Sequence, residues 1–331
     1  MKKKILLIAT GGTIASHARE NGLSPEIKAE SLLQYVPEIV EFCDVDAVQI
    51  YNIDSTNVTP KHWLILAETI KNNYEKYDGF VVCHGTDTMS FTASMLSYLV
   101  QHSPKPIVLT GSQKPIDKED TDGRINLKDS FLYAVSEHAS DVVIVFQGKV
   151  IAGTRAKKVR SKSYNAFTSV DFPVLAVIRE GKIIQYIVTP KQDKPEFYLQ
   201  LNDKVGLFTL TPGQKGDILD AYFRINDAVV LSGYGVGGVP ESEYYGFYDV
   251  ITGWEKKGKT LVVTTQVQQE GSDMSVYKVG RGLKNRFELL ESYSMTYESI
   301  ITKLMWILAQ TKKDEEVKKL FYKTINYDLI G

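Results

Sequence analysis

Along the first half of the chain, short runs of β-branched and aliphatic residues alternate with longer stretches of helical period. Read as strands, the runs fall at Lys4–Ala9, Ala47–Ile53, Gly79–Cys83, Pro106–Leu109 and Val142–Phe146. The spacing predicts helices near Glu30–Val36, Pro60–Tyr77, Asp87–Gln101 and Arg124–Glu137. In the second of these, Trp63, Leu66, Ala67, Ile70 and Tyr74 recur on one helical face and are expected to pack on a sheet. Strands alternating with helices in this way imply βαβ units and a mostly parallel sheet.

The pattern lapses from Thr189 to Asn202 (TPKQDKPEFYLQLN), a polar stretch with two prolines and no period, as an interdomain linker has. This places an N-terminal α/β domain at 1–188, a linker at 189–204 and a smaller C-terminal α/β domain at 205–331. In the latter, Val205–Leu210, Ala228–Leu231 and Thr260–Val263 read as strands. Helices are predicted near Gly213–Phe223, Glu243–Lys257 and Met295–Gln310. No fixed-period repeat and no low-complexity tract interrupts the chain, which sets aside solenoid and fibrous classes.

Composition narrows the function. With 39 basic and 40 acidic residues, the formal charge of −1 does not supply the electrostatic attraction on which nucleic-acid affinity rests. The basic opening Met1-Lys2-Lys3-Lys4 is followed by an apolar run that Thr10-Gly11-Gly12 cuts too short for a signal peptide, so it reads as a first strand. No apolar stretch approaches the roughly 20 residues of a membrane helix. Cys43 and Cys83 have no metal-ligand or disulfide spacing, and a soluble protein of the reducing cytoplasm is expected.

Ligands of open α/β sheets bind beyond the carboxyl ends of the strands, where the winding order reverses. Those ends carry Thr10-Gly11-Gly12-Thr13, Asp54-Ser55-Thr56-Asn57, His84-Gly85-Thr86-Asp87-Thr88 and Thr110-Gly111-Ser112-Gln113. In a flavodoxin-like order 2-1-3-4-5, Thr13, Ser55 and Thr86-Asp87 converge at the switch point. Each motif also has a local reading: a tight glycine turn, a helix cap at Asp87, hydroxyls satisfying nearby backbone. A hydroxyl nucleophile requires a base. Neither G-x-S-x-G nor H-E-x-x-H occurs, the five histidines lack metal-ligand spacing, and only His84 adjoins a strand-end motif. A carboxylate remains, or a lysine whose pKa is lowered by burial and neighbouring cations, and Gly153 to Lys158 (GTRAKK) offers the latter. Thr86, Lys158 and Asp87 can then form a relay, although a basic run is also what a solvated strand edge looks like.

Ala9–Ala15 (ATGGTIA) and His84–Met89 (HGTDTM) together resemble the two signature segments of the bacterial-type L-asparaginases. Asn52–Ser55, Asp78–Phe80, Lys105–Gln113, Gly153–Lys158, Gly233–Gly237 and Lys303–Trp306 are similar to blocks of the cytoplasmic, type I branch. The resemblance implies hydrolysis of L-asparagine to L-aspartate and ammonia through a threonine acyl-enzyme, with no metal or organic cofactor. It implies Thr13 as primary nucleophile and Thr86 as second catalytic hydroxyl, backed by Lys158 and Asp87. Asp54, Ser55 and Asp87 are implied to hold the substrate's α-amino and α-carboxylate groups, and the N–H groups of Gly12 and Thr86 to meet the amide oxygen. A homodimer or homotetramer is implied as well.

The sequence departs from that pattern in two places. Leu23 stands where many relatives have a lid tyrosine, and Gly238 replaces the asparagine that ends a Gly-Val-Gly turn in some. Asp273, in the nearby Gln269–Asp273 segment, is the candidate for a substrate contact donated by a partner subunit.

Three rival readings remain. Gly233–Gly238 satisfies G-x-G-x-x-G, but Pro240 intervenes before the next helix and no ribose-binding acid follows, which argues against a dehydrogenase. A glutamine-hydrolysing amidotransferase subunit resembles the same core but carries an extra N-terminal domain, whereas the first strand here begins near residue 4. A non-catalytic amino-acid sensor is disfavoured because every nucleophile and relay position keeps its hydroxyl or amine.

Overall fold

The computed structural model describes residues 2–19, 22–25, 27–191 and 194–330, with backbone alone for 17–19 and 22–25. The chain forms two compact units, Met1–Leu199 and Gln200–Gly331. The first unit holds the chain through residue 199 because Glu196–Phe197 pairs antiparallel with Val100–Gln101 and the Tyr198 N–H donates to Leu99 O at 2.8 Å.

Five parallel strands build the first unit: β1 (Lys3–Gly11), β2 (Cys43–Ile53), β3 (Gly79–Cys83), β4 (Ile107–Thr110) and β5 (Val142–Phe146). Their spatial order is β2-β1-β3-β4-β5, the flavodoxin-like winding expected from the sequence. Ile5, Leu7, Ile8, Val81, Val82, Val108, Val143 and Ile144 are all fully buried, so both faces of the sheet are covered, as a parallel sheet requires. The helix Pro60–Asn73 starts where Pro60 presets the first helical φ and the Thr59 N–H donates to His62 Nδ1 at 3.0 Å. Its Trp63, Leu66, Ala67 and Ile70 are buried, on the face the periodicity marked.

Three further strands, Lys149–Ala152, Ala176–Arg179 and Lys182–Gln185, extend the sheet antiparallel beyond β5. The sequence reading lacks them because their two-residue turns are atypical. Gln147-Gly148 and Glu180-Gly181 take positive φ at both positions (50° and 67°, 50° and 71°), a place where Asn or Asp usually precedes the glycine.

Both cysteines are free and buried, Cys43 on the edge strand β2 and Cys83 inside the sheet on β3. Burial pushes each thiol up to about 12. Asp129, on the helix Gly123–Ala134, is 6% exposed, and burial pushes its carboxyl up to about 6. Because the folded pKa lies above the unfolded value, the folded state holds this proton more tightly, and that advantage is lost as pH rises through about 6. Asp129→Asn is therefore expected to raise the unfolding free energy by about 2–3 kcal/mol at pH 7.5 and to change nothing near pH 4. Urea titrations at the two pH values measure this.

The second unit carries four parallel strands in sequential order, Val205–Thr209, Ala228–Gly233, Thr260–Thr265 and Leu290–Glu291. Phe208, Leu219, Phe223, Val229, Leu231, Phe247, Val263 and Leu283 form its core. The helix Lys278–Arg286 and the strand Leu290–Glu291 were not expected. The former contains two glycines, and Gly280 is there because a Cβ would lie 2.6 Å from Met274 O. The Gly233–Gly238 loop closes on itself, Tyr234 N–H to Gly238 O at 2.9 Å and Gly238 N–H to Tyr234 O at 2.7 Å, and the next helix begins only at Phe247. That is not the strand-to-helix turn of a dinucleotide site. Among the described residues no helix is long and apolar enough to cross a membrane.

Candidate active site

The carboxyl ends of β1, β2 and β3 meet at two close approaches that only small groups permit. Gly12, with φ 81° and ψ 179°, lies so close to the β3 loop that a Cβ there would sit 2.4 Å from Gly85 Cα and Gly85 N. A Cβ on Gly85 would in turn fall 2.6 Å from Ser55 Oγ and 3.2 Å from Gly12 Cα. The turn that presents Thr13 is thus pressed against the loop that presents Thr86, with Ser55 on its flank. Gly12→Ala adds both a clash and a disfavoured φ, and about 2–4 kcal/mol of stability should be lost. Gly258→Ala, at φ 65° with nothing within 4 Å of the added carbon, serves as the control and should cost about 1 kcal/mol. Denaturant midpoints of the two variants separate the steric part from the backbone part.

Thr86, 5% exposed, lies between a cation and an amide. Lys158 Nζ donates to Thr86 Oγ1 and to Asp87 Oδ1, both at 2.7 Å, and Thr86 Oγ1 donates to Gln113 Oε1 at 3.1 Å. The Lys158 side chain is only 15% exposed, whereas that of Asp87 is 57% exposed. Lys158 reaches this place at the end of the strand Ala156–Lys158, paired antiparallel with Phe167–Ser169. Gly153 lets that segment pass the helix Met89–Leu99, since a Cβ would lie 2.8 Å from Ser97 Oγ and 2.9 Å from Ala93 O. Asp87 does not cap that helix. Thr88 is the residue at its start, and Thr88 Oγ1 donates to Ser55 O at 2.8 Å, tying the β3 loop to the β2 loop.

Other expected site residues have local work. Asp54 Oδ1 accepts from Thr56 N and from Thr56 Oγ1, each at 2.8 Å, and so fixes the turn Ser55–Asn57 that holds the buried Ser55. The Gly12 N–H donates to Ile53 O at 3.0 Å. That bond pins the Thr13 turn to β2. Asp273 lies in the second unit, fully exposed, and hydrogen bonds from the Ser275 hydroxyl and N–H hold its carboxyl below the usual range. The lid position Leu23 lies on a strand, Gly22–Pro25, whose side chains fall outside the described residues.

Gln113 received no role from the sequence, although it stands at the carboxyl end of β4 beside the other motifs. Its side chain bridges Thr86 Oγ1 and Ser163 O, the latter at 3.2 Å, while its N–H donates to Asp122 Oδ1 at 2.9 Å. Asp122 also accepts from Asn126 Nδ2 at 3.2 Å, and burial raises its carboxyl above the ordinary range.

Residues 4–191 match the family model described as Asparaginase, N-terminal, and residues 204–321 match that of the Glutaminase/Asparaginase C-terminal domain. The chain is 33% identical over 332 residues to the L-asparaginase of Thermococcus kodakarensis, covering 99% of both proteins. The solved structure of the thermostable L-asparaginase of that organism superposes with a TM-score of 0.93 over 99% of each chain. L-asparaginase 1 of Escherichia coli is 30% identical over 99% of this chain and 98% of its own. A glutamyl-tRNA(Gln) amidotransferase subunit of Methanosphaera stadtmanae is 33% identical over 96% of this chain and 75% of its own length.

Proposed function

The chain belongs to the asparaginase family, and from that premise we propose that it hydrolyses L-asparagine to L-aspartate and ammonia through an acyl-enzyme on Thr13. The observation that carries the reading is the position of Lys158 Nζ, 2.7 Å from both Thr86 and Asp87, in a loop pressed against the Thr13 turn. In its amine form Lys158 takes a proton through Thr86 as the Thr13 oxygen attacks the side-chain carboxamide carbon. The new C–O bond forms while the amide electron pair moves onto oxygen, where the Thr86 N–H meets it. When the C–N bond breaks, the relay returns that proton to the departing ammonia, and water then opens the ester by the same steps reversed.

Substrate binding follows from charge. Asp87, half-exposed beside Lys158, and Asp54 present carboxylates to an α-ammonium, and Ser55 presents a hydroxyl to an α-carboxylate. Asp273 is proposed as a contact donated by a partner copy within a homodimer or homotetramer, whose size sedimentation velocity measures.

Equimolar aspartate and ammonium from L-asparagine, followed by coupled assay, is the expected result. The resemblance to an amidotransferase subunit makes L-glutamine the informative competitor, because one methylene of side-chain length shifts selectivity by about 1–3 kcal/mol. Ammonia from glutamine alone would move the reading to an ammonia-donating subunit. Binding of either amide without turnover would move it to a sensor.

A further inference from the structure

A buried hydrogen-bond chain runs from the core to the catalytic loop. Trp63 Nε1 donates to Thr92 Oγ1 at 2.9 Å, Thr92 Oγ1 lies 2.9 Å from His84 Nε2, and His84 Nδ1 lies 2.7 Å from Gly85 O. Trp63 is 7% exposed, Thr92 0% and His84 1%. The protons along this chain have one consistent arrangement. An indole only donates and a carbonyl only accepts, so the Thr92 oxygen accepts from Trp63 and Nδ1 donates to Gly85 O, which leaves Nε2 of the neutral ring to receive the Thr92 proton. Burial pushes the imidazole down to about 4, so the ring is neutral around pH 7.

The consequence lies on the other side of the same peptide bond. All peptides of the described chain are trans, and in a trans peptide the N–H points opposite to the C=O. With the Gly85 carbonyl held by His84, the Thr86 N–H is aimed away from the core, and among the described residues it meets no acceptor. Glycine at position 85 imposes little torsional preference of its own, so this orientation depends on an external hold. A backbone donor assists a developing oxyanion only when its direction is set beforehand.

We infer that His84 is a positioning residue for the deamidation: it locks the Gly85–Thr86 peptide so that the Thr86 N–H faces the reacting amide oxygen, with Thr92 and Trp63 setting the imidazole tautomer. The inference rests on the asparagine-hydrolysing reading given above. His84 touches no substrate and acts only through the peptide it holds.

Two amide substitutions divide the imidazole's functions. The side-chain nitrogen of His84→Asn falls where Nδ1 was and still donates to Gly85 O. The amide of His84→Gln falls where Nε2 was and leaves that carbonyl without its donor. In the full-length protein, His84→Asn should keep kcat for L-asparagine within about fivefold, and His84→Gln should lose about 30–100-fold, with KM within about threefold for both. Thr92→Val should lower kcat and Thr92→Ser restore it, which provides the test if His84→Gln does not fold. Nitrogen-15 spectra of wild-type imidazoles should show Nδ1 protonated and Nε2 bare at neutral pH. Equal turnover in the Asn and Gln variants, a loss confined to KM, or a protonated Nε2 would each overturn the role. A wild-type protein that releases no ammonia from L-asparagine defeats the hydrolase reading and this inference together, whereas an active enzyme indifferent to His84→Gln defeats the inference alone.

Discussion

Lys158→Met should leave a folded protein whose kcat for L-asparagine is lower by about 10³-fold or more. Methionine keeps most of the length and apolar volume of the stem, so the strand Ala156–Lys158 and its pairing with Phe167–Ser169 are undisturbed. What disappears is the nitrogen placed 2.7 Å from Thr86 Oγ1 and Asp87 Oδ1. Thr86 then has Gln113 as its remaining side-chain neighbour, which accepts from it but cannot serve as a base. Because the relay acts as a unit, Thr86→Val combined with Lys158→Met should be little worse than either alone, while Thr13→Ala removes the nucleophile itself and costs about 10⁴-fold or more. Initial rates of ammonium release, with circular dichroism as the folding control, decide this. Near-wild-type turnover in Lys158→Met ends the relay, and turnover surviving loss of both Thr13 and Thr86 hydroxyls ends the acyl-enzyme.

The largest effect on stability is expected at a buried ion pair of the second unit. Lys303 and Asp328 are both 0% exposed, with Lys303 Nζ 2.7 Å from Asp328 Oδ2. The ammonium also donates to Lys323 O at 2.7 Å and lies 5.8 Å from the Phe321 ring centre, and Asp328 Oδ1 accepts from the Ile325 N–H at 2.9 Å. The pair thus fastens the final residues to the helix Tyr297–Gln310. Two buried charges gain little over two apolar groups of the same volume, but one left alone is costly. Lys303→Met or Asp328→Leu alone should lower the unfolding free energy by about 3–5 kcal/mol, and the double substitution should recover much of that loss. A double-mutant cycle in urea measures the coupling, and additive losses would show that the charges do not depend on each other.

What the sequence revealed and what it hid have physical reasons. β1, β3, β4 and β5 were legible because strands covered on both faces are largely apolar, whereas the edge strand β2, half-covered and carrying Asp44 and Asp46, was legible only from Ala47 onward. Thr13, Ser55, Thr86 and Asp87 were legible as strand-end motifs, since winding order alone brings those ends together. Lys158 is separated from Thr86 by 72 positions, so its place beside that hydroxyl is a tertiary fact to which the need for a base and the resemblance pointed but which no local pattern fixes. Backbone commitments are hidden altogether. Nothing about Gly12 as a residue type says that its N–H donates to Ile53 O. Asp54 shows the same ambiguity, because a carboxylate preceding a turn reads equally well as a ligand contact or as the cap that the Thr56 hydrogen bonds make of it. Gln113 escaped notice because its role lies in bridging two segments.

The two thiols give the protein internal reporters of its own breathing. Alkylating reagents attack the thiolate, which both cysteines disfavour while covered, so the rate of modification counts excursions in which a strand comes away from its neighbours. Cys43 lies on the border strand and Cys83 two places further in. Fraying at the margin and wholesale opening of the nucleus therefore register on different sulfurs, and mass spectrometry of partly alkylated protein separates the two without any added label.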